Sequence, residues 1–209
     1  MVSTIDSLVP RLRCAASSSR AFRSISAASD AAIAVAGKHA DVYALWGETH
    51  EQVRELTARV RAAAAQHGRE VRFSLSLRPI LAPTEDEAWA RAEQIKQRII
   101  ELRTKAGMGA REPANEGSRR LLAAAAQGER LDKRLWTGAA RLTGARGNTT
   151  SLVGTPLQVA EALCDYHDLG VTTFLIRGCD PLDDAIEYGR SLLPLTRQLI
   201  DQRARLAAE

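Results

Sequence analysis

The chain has 209 residues, 45% hydrophobic and 26% charged, with a formal net charge of +4, long enough for one domain with a sizeable core. No apolar run reaches the roughly 18 residues a membrane helix needs, and the Arg residues are scattered rather than gathered into a stripe, so neither membrane nor nucleic acid is an expected partner. Cys14, Cys164 and Cys179 form no CxxC pair, and His39, His50, His67 and His167 never stand at metal-ligand spacing; this argues against a disulfide framework, gives a metal site no support and points to a reducing cytoplasm.

Residues 1–28 are rich in Ser and Arg and carry one acidic residue, Asp6. They read as a poorly ordered leader, and their composition also resembles a transit peptide. "DVYALW" (41–46) is a short apolar run that predicts a strand. Thr49 and Gln52 then form a capping box, opening a helix to about His67 with Val53, Leu56 and Val60 on one face and Gly68 suited to its end. In "VRFSLSLRPIL" (71–81), Val71, Phe73, Leu75 and Leu77 alternate with polar partners, which is strand periodicity. Thr84 and Glu87 form a second box, for a helix to about Arg103. From 103 to 150 the pattern lapses into an Ala-Leu helix (about 117–127) and a Gly/Thr/Asn-rich stretch without clear strands. "TGARGNTT" (143–150) carries Arg146 among Gly and hydroxyl residues, a composition that suits both an anion-wrapping loop and a plain surface loop.

Thr155, Pro156 and Gln158 start another helix, which Gly170 can stop. Thr172 to Ile176 then read as a buried strand. Asp180 and Pro181 start a last helix through Leu182, Ile186, Tyr188 and Leu192, which Pro194 is expected to kink or end.

Strand, cap, helix, glycine, strand is the pattern of βαβ units, whose strands run parallel and whose ligands collect at the carboxyl ends. Gly47 and Glu48, Arg78, and Arg177 to Cys179 follow those ends. Other conspicuous residues read as structural: Trp89 and Trp136 as core or interface anchors, Cys164 as core, His167 at a helix end, and Glu85-Asp86-Glu87 as charge favourable to a helix start.

In order and spacing, "HADVYALWGET", "VRFSLSLRPILAPTEDEAWARAE", "RLWTGAARLTGARGNTTSLVGTP" and "DLGVTTFLIRGCDPLDDAIEYGRSLLP" resemble the luciferase-like flavin-dependent monooxygenases. Their strongest likeness is to the alkanesulfonate monooxygenase branch, over residues 29–200. The resemblance implies an α/β fold, a partial TIM (β/α)8 barrel of carboxyl-terminal strands and helices. An inserted helical and loop region would occupy 103–150, a non-family leader 1–28, and a helical or frayed tail 201–209. Because the family's members are considerably longer, the chain looks truncated, with two unpaired sheet edges and one uncovered face.

The implied reaction uses reduced FMN, supplied by a separate flavin reductase, and oxygen to oxidise a small organic substrate such as an alkanesulfonate. Two other readings stay open: a non-catalytic half-barrel that at most associates with a partner, itself included, and a deazaflavin-dependent reductase of the same superfamily. Whether this chain alone is an enzyme is left open.

Carried over by position, Arg146 in "GARGNTT" matches the loop arginine that closes over the active site and contacts anions. A guanidinium suits that task because it stays charged and binds oxyanions bidentately. "SLSLRPI" matches a strand where the sulfonate enzymes carry an Arg and a His, here Ser76 and Arg78. "IRGCDP" places Cys179 where they carry an active-site tyrosine. These give Arg146, Arg78 and Cys179 as candidate catalytic residues. "SAASDAA" (26–32) resembles the end of a "GGSSDAA" segment beside the flavin phosphate. Ser29 would be the surviving hydroxyl, and Ser26 and Ala27 replace the glycines; Ser29 also suits a plain helix cap. With Trp46 and Arg177 at strand ends, Ser29 completes the implied cofactor-binding set.

Overall fold

A computed structural model describes residues 23–26, 28–109, 112–146 and 149–208. Most of the expected leader (1–22, with Cys14) and two residues of the Arg146 loop (147–148) lie outside the described residues.

Four parallel strands form the principal sheet, in the order β1 (Ser24–Ile25), β2 (Val42–Trp46), β3 (Arg72–Leu77) and β8 (Val171–Ile176). Helix α1 (Asp30–His39) links β1 to β2, and α2 (His50–Ala65) links β2 to β3. Residues 24 and 25, placed in the leader by the sequence, pair with Val42 and Tyr43 and so belong to this sheet.

Tyr43 and Leu45 of β2 and Phe73, Leu75 and Leu77 of β3 all point to the helices and are buried. They pack with Ile33 of α1, Val53, Leu56 and Val60 of α2, and Val159, Leu163 and Tyr166 of α6 (Pro156–Asp168). Burying one such aliphatic side chain contributes ~1.5–3 kcal/mol. The opposite face presents Ala44, Trp46, Ser74, Ser76, Thr173 and Leu175.

The expectation of a buried strand at 172–176 is corrected. β8 is an edge strand, and Leu175, in register with Ser76, is 56% exposed. Register also shifts along it: Val171 faces Phe73 and Thr173 faces Ser74, so Thr172 is an extra residue, a bulge. The Thr172 hydroxyl donates to the Phe73 carbonyl at 3.4 Å, supplying a partner where the ladder is interrupted.

The alternating run 71–81 is split. β3 ends at Leu77, and Ile80–Leu81 form β4 in a second sheet, ordered β4-β7-β6-β5. Its other strands are β5 (Arg130–Leu131), β6 (Leu135–Trp136) and β7 (Ser151–Gly154). The stretch 103–150, read as strandless, therefore holds a hairpin together with α4 (Glu116–Gln127) and α5 (Gly138–Thr143). The hairpin tip uses Asp132 and Lys133 at positive φ. Asp132 accepts from the His50 N–H at 2.6 Å, putting a negative charge at the start of α2, where the helix dipole favours it.

All three capping boxes form: Thr49 with Gln52, Thr84 with Glu87 at the start of α3 (Glu85–Lys105), and Thr155 with Gln158. Pro194 does not end the last helical run. Between α7 (Pro181–Glu187) and α8 (Leu193–Leu206) a π turn at Tyr188–Leu192 widens the helix just before the proline, and the run continues. No helix among the described residues is long and apolar enough to cross a membrane.

Candidate functional site

Because the four strands of the principal sheet are parallel, their carboxyl ends share one rim. β2 ends in Trp46, Gly47 and Glu48, β3 in Arg78, and β8 in Arg177, Gly178 and Cys179. Two of the cavities that open there hold the residues singled out from sequence.

The first, about 350 Å³, lies between the end of β2 and the starts of α1 and α4, and its lining includes Ser29, Tyr43, Trp46, Glu48, Asn115 and Gly117. Ser29 is the α1 N-cap, and its hydroxyl accepts from the Ala32 N–H at 3.4 Å. Trp46 is half-buried. α4 starts against its ring, where a Cβ on Gly117 would lie 3.0 Å from the indole.

Glu48 is 3% exposed. It is held by Arg120, whose Nη2 and Nε donate to one carboxylate oxygen at 2.8 and 3.0 Å. Burial pushes the Glu48 carboxyl above its ordinary range, and Arg120 opposes that shift. Arg120 also donates to Glu55 at 2.9 Å and to the Gln52 carbonyl at 3.1 Å. It thereby ties α4 to α2 and to the end of β2.

FMN asks for a flat apolar wall and donors for its phosphate. The first cavity meets both: the half-buried Trp46 ring, and the start of α1, where N–H groups and the dipole favour an anion. Its carboxylates are paired, Glu48 with Arg120 and Glu116 with Arg119 at 2.6 Å. The residues present fit the group.

The second cavity, about 510 Å³, brings together Arg78, Arg146, Arg177 and Cys179, four of the six residues singled out from sequence. Arg98 of α3 and Trp136 of β6 also line it. Arg78 Nη1 donates to the Gly178 carbonyl at 2.9 Å, its backbone N–H donates to Thr150 at 3.1 Å, and the Arg177 N–H donates to Leu77 at 3.2 Å. These bonds join the ends of β3 and β8 to the loop after Arg146. Cys179 is exposed at the cleft rim, yet partial desolvation there raises its thiol pKa against the opposing charge of Arg78, so at neutral pH it is a weak donor rather than a thiolate nucleophile.

Only glycine fits at 178, since a Cβ there would lie 2.3 Å from Asp184 Cβ. Asp184 is itself buried, accepting from Arg91 at 2.6 Å and from the Asp180 N–H at 2.9 Å. The Cys179 turn is therefore braced from behind.

The implied cofactor set is divided by the structure: Ser29 and Trp46 share the first cavity, while Arg177 lines the second. Sequence reasoning missed Arg120, Arg98 and Asn115, because nothing in local spacing separates them from other helix-surface polar residues. Trp136, read as an anchor, is buried and donates to Glu129 at 3.0 Å, yet also walls the second cavity. Glu85 does more than sit at a helix start. It accepts from Arg134 at 3.0 Å and from Gln158 at 2.8 Å, pinning α3 to the turn before β6 and to α6.

The model of a family described as luciferase-like monooxygenase matches residues 23–173. Among solved structures, the chain is similar to a riboflavin lyase crystallised with modified FMN and substrate riboflavin (TM-score 0.60, 18% identity, 84% of this chain and 42% of that one). It is also similar to DmoA from Hyphomicrobium sulfonivorans (TM-score 0.61, 19% identity, 84% and 41%). A third is the EDTA monooxygenase EmoA from Chelativorans sp. BNC1 (TM-score 0.55, 20% identity, 83% and 45%). The chain thus spans less than half the length of these proteins, and its parallel sheet with helices corresponds to part of their TIM-barrel fold.

Proposed function

The chain belongs to the luciferase-like monooxygenase family, and from that premise we propose that its strand-end rim serves flavin-dependent oxidation of a small organic anion, with an alkanesulfonate as the type of substrate. FMN, supplied in reduced form by a separate flavin reductase, would bring the oxygen chemistry when bound. Trp46 would back the ring system, and Ser29 with the start of α1 would hold the phosphate. Arg78 would hold the substrate's acidic group and Arg146 would close over the cleft, since a guanidinium stays charged and pairs with an oxyanion bidentately. Trp136 and the inserted region would limit water over the second cavity.

The observation that carries this reading is the convergence of Arg78, Arg146, Arg177 and Cys179, distant in sequence, on one cleft at the rim. The open inner face and edge of the sheet favour a second reading, a half-barrel that turns over nothing alone and associates with a partner.

Titration of the purified chain with oxidised and reduced FMN, followed by tryptophan and flavin fluorescence, tests both. The monooxygenase reading expects saturable binding, weakened by Trp46→Ala. With a reductase and oxygen, sulfite release from an alkanesulfonate should fall about 10²-fold in Arg146→Ala. No saturable flavin binding would leave only the second reading.

A further inference from the structure

The second cavity is unusual in its charge. Its lining carries four guanidinium groups, Arg78, Arg98, Arg146 and Arg177, and no Asp or Glu among the described residues. Two come from strand ends, one from α3 and one from the loop after α5. Between them lies an apolar surface of Ile95, Ile99, Trp136 and Ala139. Thr149 Oγ1, in the same wall, is buried without a hydrogen-bond partner among the described residues, a donor that an oxyanion would complete.

Arg98, Arg146 and Arg177 put three positive charges on this wall besides Arg78, more than one acidic group would offset in a concave, partly apolar site, where like charges repel and the field is focused. Among the described residues, the charged partner of Arg98 is an exposed i,i+3 one, Glu101, at 3.2 Å, a type of contact worth little. Its guanidinium is therefore available to the cleft at small cost.

We propose that this cleft selects organic substrates bearing two acidic groups separated by a short apolar segment, with Arg98 as a specificity-determining residue. One acid would be held by Arg78 and Arg177 at the strand ends. The other would meet Arg98 and Arg146 across the apolar surface. The inference rests on the preceding reading only in taking this cleft as the substrate site; it needs no turnover.

Isothermal titration of the full chain with propanedisulfonate and with propanesulfonate tests it. The disulfonate should bind at least about tenfold tighter, since each charge-assisted contact contributes about that factor. Arg98→Gln should remove most of that advantage and leave the monosulfonate unchanged, while Glu101→Gln should change neither. Equal affinities, an equal loss for both anions in Arg98→Gln, or no binding of either would overturn the proposal. A third arm adds FMN. If FMN displaces the disulfonate competitively, the arginines serve the cofactor phosphate and the assignment falls; if both bind together, it stands. Absence of FMN binding alone would sink the monooxygenase reading and leave the anion selectivity measurable.

Discussion

The two faces of the principal sheet are built from the same strands yet behave as different materials. Toward the helices stand Tyr43, Leu45, Phe73, Leu75 and Leu77, each at most 2% exposed. On the other side stand Ser74, Ser76, Thr173 and Leu175, small, hydroxylic or open to solvent. Parallel sheets are normally covered on both faces, and among the described residues this one is covered on one. The helix-facing side supplies cohesion, while the rim where both faces end holds the ionic groups, among them buried Glu48 on Arg120 and buried Asp184 on Arg91. Burying charge costs stability unless it is paired. Its concentration at the strand ends therefore marks the region where structure serves something other than packing.

Exchanging one residue type on each face gives the largest contrast. Leu75→Ala should destabilise the fold by about 2–5 kcal/mol, as a large-to-small change in a packed core does, read as a lowered urea midpoint. An intermediate effect is expected where α3 meets the second sheet. Side-chain hydrogen bonds from Arg134, Gln158 and Trp89 bring the Glu85 carboxyl from 4.5 down to about 2. A folded pKa below the unfolded one gives stability that is present above pH 4.5 and lost as pH falls toward about 2. Glu85→Gln should accordingly be less stable than the parent at neutral pH, with the gap closing across that window; urea midpoints at a series of pH values measure it, and a constant gap would refute the linkage. The smallest change is Leu175→Ala, expected within about 0.5 kcal/mol of the parent. A loss approaching that of Leu75→Ala would mean that the inner face is covered in solution, and the contrast between the faces would fail.

Features set by a few neighbouring residues were legible in the sequence. Thr49–Gln52, Thr84–Glu87 and Thr155–Gln158 predict three helix starts because a capping box closes within four positions. Parallel order followed from the alternation of strands and helices, and the family from the spacing of its blocks. The hairpin at 130–136 was not legible: its turn uses Asp132 and Lys133 at positive φ, without the glycine that usually signals such a turn. Nor was the exposure of β8, since an apolar run reads as buried whether or not a neighbouring strand covers it.

At the site, strand ends are countable from sequence, so Arg78, Arg177 and Cys179 were found, and the loop motif gave Arg146. Arg98 and Arg120 were not found, because their roles depend on which helix the insertion lays across the rim. The division of Ser29 and Trp46 from Arg177 into separate cavities is likewise a tertiary fact.

The surplus threonine in β8 has a consequence for how that strand is decoded. With strict alternation from Val171, the helix-facing set would be Val171, Thr173 and Leu175, sending Phe174 and Ile176 outward. One inserted position advances the two-residue rhythm by a half-cycle, and Val171, Phe174 and Ile176 fall in phase with Phe73, Leu75 and Leu77. Deleting Thr172 would therefore leave the strand's polarity code intact, since Val171, Thr173, Phe174, Leu175 and Ile176 would then alternate regularly against Phe73 to Leu77; keeping Thr172 but ironing out the bulge would invert it, trading two large apolar side chains for a hydroxyl and a leucine at the helix interface.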